Sequence, residues 1–202
     1  MGMPNVLKHF ATFIDGTSYV GEVQEITPPK LTRKMEEFRA GGMRLPVDID
    51  HGMEKLEAEI TAGGWLKDVL KQFGKLTVDG VPLRFTGAAQ RDDTGEYMAI
   101  EIFMRGRWQE IDPGAGKSGD ASEFKAKMTL NYYRLVIDGE EICEIDAINM
   151  IEKVGGNDLL ALLGIRRPRS LTIYHTPLWL VISRLATTFV PHGFGLTAPV
   201  FE

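Results

Sequence analysis

At 202 residues, 44% hydrophobic and 25% charged, the chain has an ordinary globular composition, which excludes a disordered or collagen-like polymer and allows one sizeable core or two small ones. Its 23 Lys and Arg against 28 Asp and Glu give a net charge of −5, the wrong sign for a protein that grips phosphates over a broad face. The average covers two unlike parts, because residues 1–164 hold 19 basic and 27 acidic side chains whereas residues 165–202 hold four and one.

A single cysteine, Cys143, allows no intramolecular disulfide and no thiolate metal cluster, and fits a reducing compartment. The start, Met-Gly-Met-Pro-Asn-Val6, shows neither the basic and apolar regions of an export signal nor the Ser or Thr of a myristoylation signal. Residues 10–23 place Asp15-Gly16 between apolar runs. Both turn positions of a tight hairpin need positive φ, so a hairpin with arms 10–14 and 19–23 is expected. Pro28-Pro29 then stops the ladder, and residues 30–38 alternate as a strand with a mixed charged surface.

Residues 39–52 combine three glycines, a proline and apolar side chains, which reads as a long functional loop rather than a packed element. Residues 54–62 alternate strictly, with Leu56, Ala58, Ile60 and Ala62 toward a core and Lys55, Glu57, Glu59 and Thr61 toward water. One internal helix is expected over residues 65–73, with Trp65, Leu66, Val69, Leu70 and Phe73 on one stripe and Gly74 at C′. A second hairpin joins residues 81–89 to 97–108 through the polar turn 91–96. A third joins residues 124–137 to 141–145 through Asp138-Gly139, with Phe124, Ala126, Met128, Leu130 and Tyr132 inward. Residues 149–163 are compatible with a terminal helix interrupted at Gly155-Gly156. Three hairpins, one short helix and about eight strands predict a mainly β, antiparallel sandwich or barrel.

Catalytic motifs do not withstand inspection. Gly114-Ala-Gly116-Lys117-Ser118 ends like a phosphate-cradling loop, but Ile111 stands where that pattern needs glycine, and a strand pattern follows where it needs a helix. A nucleotide-dependent enzyme centred on Lys117 is therefore only the alternative reading. His9, His51, His175 and His192 show no metal-ligand spacing. Asp48/Asp50 and Asp92/Asp93 do not continue into a calcium loop, and no nucleophile elbow occurs. No catalytic, cofactor or metal site is expected. The apolar loop residues Met43, Leu45, Val47 and Ile49 and the strand residues Phe38, Phe103 and Tyr133 instead fit contacts between subunits.

Several segments taken in order carry a resemblance: Leu31-Thr-Arg-Lys-Met35 with Arg39-Ala-Gly-Gly-Met43, Arg91-Asp-Asp-Thr-Gly-Glu96, Met104-Arg-Gly-Arg107, Glu110-Ile-Asp-Pro-Gly114, Tyr133-Arg-Leu135 with Ile137-Asp-Gly139, and Glu144-Ile-Asp-Ala-Ile-Asn-Met-Ile-Glu-Lys-Val154. Together they resemble the major tail tube proteins of contractile-tailed bacteriophages and of R-type bacteriocins, over about residues 10–163. The resemblance implies a non-enzymatic subunit without cofactors, forming hexameric rings whose strands close an inner β-barrel and which stack into a tube for DNA delivery. Its implied partners are the sheath, the baseplate or tube initiator, the tape measure protein and passing DNA. Its implied places are the virion tail and, during assembly, the host cytoplasm.

Carried onto this chain, the inter-ring loop comprises Arg39, Gly41, Gly42, Met43, Leu45, Pro46, Val47 and Ile49, and the lumen-facing set is Lys55, Glu57, Glu59 and Thr61. The same architecture serves bacteriocin and secretion-type injection machines, which remain open as alternatives. The tail tube domain is expected to span residues 1–164, followed by an atypical extension, 165–202, that is disordered or peripherally packed. Within the extension, residues 171–190 are apolar but contain His175, Pro177 and Arg184, so no membrane span is expected.

Overall fold

The structure, a computed structural model, describes residues 2–116 and 122–162. Strand β1 (Asn5–Ile14) ends in Asp15 and Gly16, whose φ values of 50° and 81° make the expected tight turn. The return arm is shorter than expected. Only β2 (Thr17–Ser18) pairs back on β1, because the chain turns again at Tyr19, whose carbonyl accepts from the amides of Glu22 and Val23. Strand β3 (Val23–Thr27) therefore leaves to pair with β6 (Leu56–Ala62), while β7 (Val81–Arg91) becomes the main partner of β1.

Between β3 and β6 the chain makes a separate two-stranded sheet from β4 (Arg33–Phe38) and β5 (Val47–Met53). The expected long loop of residues 39–52 is thus corrected. Its second half is a strand in register with β4, and the irregular tip comprises residues 39–46. Composition suggested a loop because the glycines and proline of residues 39–52 outweighed the short Val47-Asp48-Ile49-Asp50 alternation; in the structure both strands are largely exposed on both sides.

Strand β6 shows the expected period: Leu56, Ala58, Ile60 and Ala62 are buried and the intervening residues are not. Helix α1 (Lys67–Gln72) is shorter than expected, and its stripe needs correction. Leu66, Val69 and Gln72 are buried at i, i+3 and i+6, whereas Trp65 and Phe73 are more than half exposed and Leu70 is also exposed. Gln72 takes a core place because both ends of its amide are used, donating to Asp15 and accepting from the Trp108 indole. Gly74, at φ 91°, follows the C-cap as expected.

The long strands β7, β8 (Tyr97–Asp112) and β9 (Phe124–Ile137) form an antiparallel meander. On its other edge β9 serves two partners in turn, β6 along Phe124 to Leu130 and β10 (Glu140–Asp146) along Tyr132 to Ile137. The sheet forks at Asn131, a bulge where Arg105 pairs with Tyr132 but Gly106 pairs with Leu130. That extra residue reverses the phase of β9, so Tyr133 is buried rather than the expected Tyr132. Gly106 makes the close approach possible, since a Cβ there would lie 1.9 Å from the Thr129 carbonyl oxygen.

Asp138 and Gly139, at φ 50° and 83°, form the expected third hairpin turn. Of the helix expected over residues 149–163, the described part, residues 149–162, is not helical throughout. They contain β11 (Ile151–Val154), a turn at Gly155-Gly156 with both φ positive, β12 (Asn157–Asp158) and a single helical turn, α2 (Leu159–Leu162). Two consecutive positive-φ glycines suit a hairpin and not a helix interior.

Ten strands form one sheet in two parts that meet at β9: the path β12-β11-β10-β9-β8-β7-β1-β2, and a branch in which β6 pairs with β9 and β3 with β6. Both parts contribute to one buried cluster that includes Ile60, Val69, Leu83, Met104, Phe124 and Met128.

Candidate assembly surfaces

Four surfaces of the described residues carry chemistry that the core does not use. The first is the β4–β5 hairpin. Its register pairs Met35 with Asp50 and Glu37 with Asp48 on one face, and Glu36 with Ile49 and Phe38 with Val47 on the other. Paired residues share a face, so one side is acidic and the other presents Phe38, Val47 and Ile49, all exposed. Arg33 anchors the base by pairing with Asp50 at 2.6 Å and with Glu152 of β11. The Gly52 amide and the Arg33 guanidinium hold the Asp50 carboxyl below the usual carboxylate range.

Arg39 orders the tip, donating to the carbonyls of Met43 and Arg44. Gly42, at φ 89°, supplies the left-handed turn, and Leu45 is 76% exposed. Arg39, Gly41, Gly42, Met43, Leu45 and Pro46 thus lie in the tip, and Val47 and Ile49 in the strand. A two-stranded hairpin with apolar side chains in water is marginal by itself. Glu37 and Asp48 sit opposite each other, an arrangement that costs stability, and no cation pairs with either among the described residues.

The second surface is the outer face of β6, β9 and the end of β8. Glu57, Glu59 and Thr61 pair with Thr129, Lys127 and Lys125, and beyond them lie Arg107, Glu110 and Asp112. Lys55 and Lys127 both lie 2.6 Å from the Glu57 carboxylate, and Lys125 lies 3.0 Å from Glu123. Lys127 first and Lys55 second hold the Glu57 pKa down, while Glu57 raises that of Lys127 and Glu123 that of Lys125. All four expected lumen residues belong to this lattice. Sequence reasoning missed Lys125, Lys127, Glu110 and Asp112. The alternation of β9 did signal its two lysines as outward, but the strand beside them was not predictable from periodicity.

The third is a depression of about 420 Å³ on the β7–β8–β9 sheet, lined by Phe13, Phe103, Tyr132 and three arginines. Arg84, Phe103 and Arg134 lie in one cross-strand row. The Arg84 and Arg134 guanidinium carbons stand 5.1 Å and 5.7 Å from the Phe103 ring centre, and that of Arg105 stands 4.1 Å from the Tyr132 ring. Arg84 is already bound to Glu101 at 2.9 Å and Arg134 to Glu141 at 2.8 Å. The fourth surface is the helix end, where Trp65, Leu70, Phe73, Leu76 and Val78 are exposed within fourteen residues.

Among the described residues, none of the remaining sequence candidates forms a reaction centre. Asp92 pairs with Lys8 and Asp93 with Arg91, and His51 pairs with Glu36. Burial pushes the Cys143 thiol up, away from the reactive thiolate. Lys117, His175 and His192, with the expected extension, lie outside the described residues. Among the described residues no group of three or more His, Cys, Asp or Glu side chains is arranged to hold a metal ion, and no helix is long and apolar enough to cross a membrane.

Comparison with known proteins places the chain beside tail tube proteins. Residues 4–167 match the family described as phage tail tube protein FII. A shorter match, residues 144–202, is to a C-C bond lyase family of the TIM-barrel fold; its described part is the end of β10 with β11, β12 and α2, which here form antiparallel pairs and one helical turn. The chain is 48% identical over 163 residues to the tail tube protein of Escherichia phage P2, covering 79% of this chain and 95% of that one. It is 36% identical over 161 residues to the major tail tube protein of Serratia phage KSP20, covering 79% and 92%. Among solved structures, a chain of the sheath/tube terminator of PVC, an extracellular contractile injection system in the extended state, superposes with a TM-score of 0.50. It is 10% identical and covers 67% of this chain and 96% of its own, a likeness of fold alone.

Proposed function

Because this chain belongs to the phage tail tube protein FII family, we propose that it is a structural, non-enzymatic subunit of a contractile tail tube, assembling as hexameric rings that stack into a conduit for DNA. The observation that carries the reading is the 48% identity to the P2 tail tube protein over 95% of that protein's length. The charged lattice on β6, β9 and β8 is assigned to the lumen. Its lysines each lie beside a carboxylate, and Glu59, Glu110 and Asp112 share the face, so phosphates passing along it meet a surface of mixed sign rather than a basic track. The β4–β5 hairpin is assigned to the contact with the next ring, where its exposed apolar face leaves water.

Residues 1–164 constitute the tube domain in this reading, supported by the family match over 4–167, and 165–202 an appendage to it. The partners are sheath, baseplate and tape measure protein, and the place of work is the virion. Negative-stain electron microscopy of the purified chain tests the proposal: six-fold rings or tubes are expected. A species that stays monomeric at high concentration, both as the full chain and truncated after Gly164, overturns it.

A further inference from the structure

We infer that the hairpin's receptor is the helix end of a second copy: the apolar face of β4–β5 in one subunit docks on the exposed surface around α1 in the next. This rests on the assignment of the hairpin to contacts between rings and adds the surface it meets. Three observations carry it.

The first is topology. The hairpin is inserted just before β6, whose first residue Leu56 follows Met53 closely, and α1 begins just after β6 ends at Ala62. The two features therefore sit at opposite ends of one seven-residue strand, roughly 20 Å apart at the usual rise per residue. A head-to-tail repeat of identical subunits brings the leading end of one copy to the trailing end of the next, and one heterologous contact of this kind satisfies both ends at once.

The second is area. Phe38, Val47, Ile49 and Leu45 are 42–76% exposed, and Trp65, Leu70, Phe73 and Leu76 are 38–95% exposed. Taking roughly 150–250 Å² for each large side chain, these fractions leave on the order of 400 Å² of apolar surface on the hairpin and 500 Å² on the helix end. Joined, and with the polar fringe that normally accompanies such a core, they reach the roughly 1,200–2,000 Å² of a specific interface.

The third is the character of the two surfaces on the long strands. The lattice on β6 and β9 is polar and mostly charged, and two of the three arginines of the β7–β8–β9 depression are engaged by their own carboxylates at hydrogen-bonding distance. An incoming Phe38 would have to compete with those pairs. The helix end asks for no such exchange, since Trp65 and Phe73 are simply in water.

The test uses the full chain. With p-benzoyl-phenylalanine in place of Phe38, tubes are assembled from a mixture of ¹⁴N and ¹⁵N protein, irradiated, and digested, so that mixed-isotope peptides report contacts between copies. Cross-links concentrated in residues 65–78 of the other copy are expected. Cross-links between copies that map elsewhere overturn the receptor while leaving the hairpin's role intact. Tubes that form without any cross-link between copies overturn both, as does the absence of tubes from the unmodified chain. An independent arm replaces the exposed side chains, as Trp65→Ser with Leu76→Ser. Loss of tubes with an unchanged melting temperature is expected, and tubes of normal length count against the docking.

Discussion

Gly106→Ala should damage the fold out of proportion to the methyl group it adds. A Cβ at this position would stand 1.9 Å from the Thr129 carbonyl oxygen and 3.0 Å from the Leu130 Cα, both backbone atoms of the partner strand. An ordinary carbon-to-oxygen contact is about 3.3 Å, so β8 and β9 would have to separate locally by about 1.4 Å, against a normal strand spacing of about 4.8 Å. Such a movement disrupts about two ladder hydrogen bonds, at about 1 kcal/mol each, and adds about 1–3 kcal/mol of overpacking strain.

The resulting loss of about 3–5 kcal/mol corresponds to a fall in melting temperature of about 6–20 °C for a domain of this size. Gly64→Ala is the control, because nothing lies within 4 Å of its added carbon and no positive φ is involved; its effect should stay within about 0.5 kcal/mol. Thermal denaturation followed by circular dichroism measures both. A Gly106→Ala protein melting within about 2 °C of the parent would refute the close approach at the sheet fork.

Other expectations follow from the same geometry. Removal of residues 42–49 should leave the circular dichroism spectrum of a β protein but abolish stacking, and normal tubes after the deletion would contradict the assignment of the hairpin. Burial pushes the Tyr133 hydroxyl up to about 12 from an ordinary 10.0. An acid whose folded pKa is raised contributes stability that is complete below its unfolded value and is lost as pH rises through the folded one. Tyr133→Phe should therefore flatten the alkaline limb of stability above about pH 10, measured by denaturant titration. Glu57 has the opposite sign: its folded pKa is lowered by Lys127 and Lys55, so its contribution is present above an ordinary 4.5 and disappears as pH falls through the lower folded value. Glu57→Gln should accordingly reduce the slope of melting temperature with pH on the acid side. It should also leave Lys127 unbalanced, so that assembled tubes retain more short duplex DNA in a low-salt pelting assay by co-sedimentation than tubes of the parent. Equal retention would argue that this lattice does not face the lumen.

Much of the architecture was legible in local chemistry. Asp15-Gly16 and Asp138-Gly139 announced their turns because both positions of a tight hairpin need positive φ, and each residue pair adopts it. The strict alternation of residues 54–62 identified the buried face of β6, since side chains point to opposite sides with period two. What failed depended on partners distant in sequence. Asn131 changes the phase of β9 because Gly106 lets β8 come close, so Tyr133 takes the buried place expected for Tyr132. Residues 151–158 form strands because β10 offers an open edge to them, which no window around Gly155-Gly156 reveals.

The candidate surfaces divide in the same way. The ordered segments from Leu31 to Val154 were enough to point to the family, and the apolar residues of the hairpin were visible as an oddity of composition. The pairing of Glu57 with Lys127 and the sorting of the hairpin into an acidic and an apolar face came only with register. Sequence by itself therefore determined the local turns, the period of the regular strands and the kinship of the chain, because each depends on residues close together or on the order of whole segments. Tertiary structure decided which charges neutralise one another and which apolar groups remain in water, because strand pairing brings together residues as far apart in sequence as Asn5 and Arg91 and no local propensity encodes that choice.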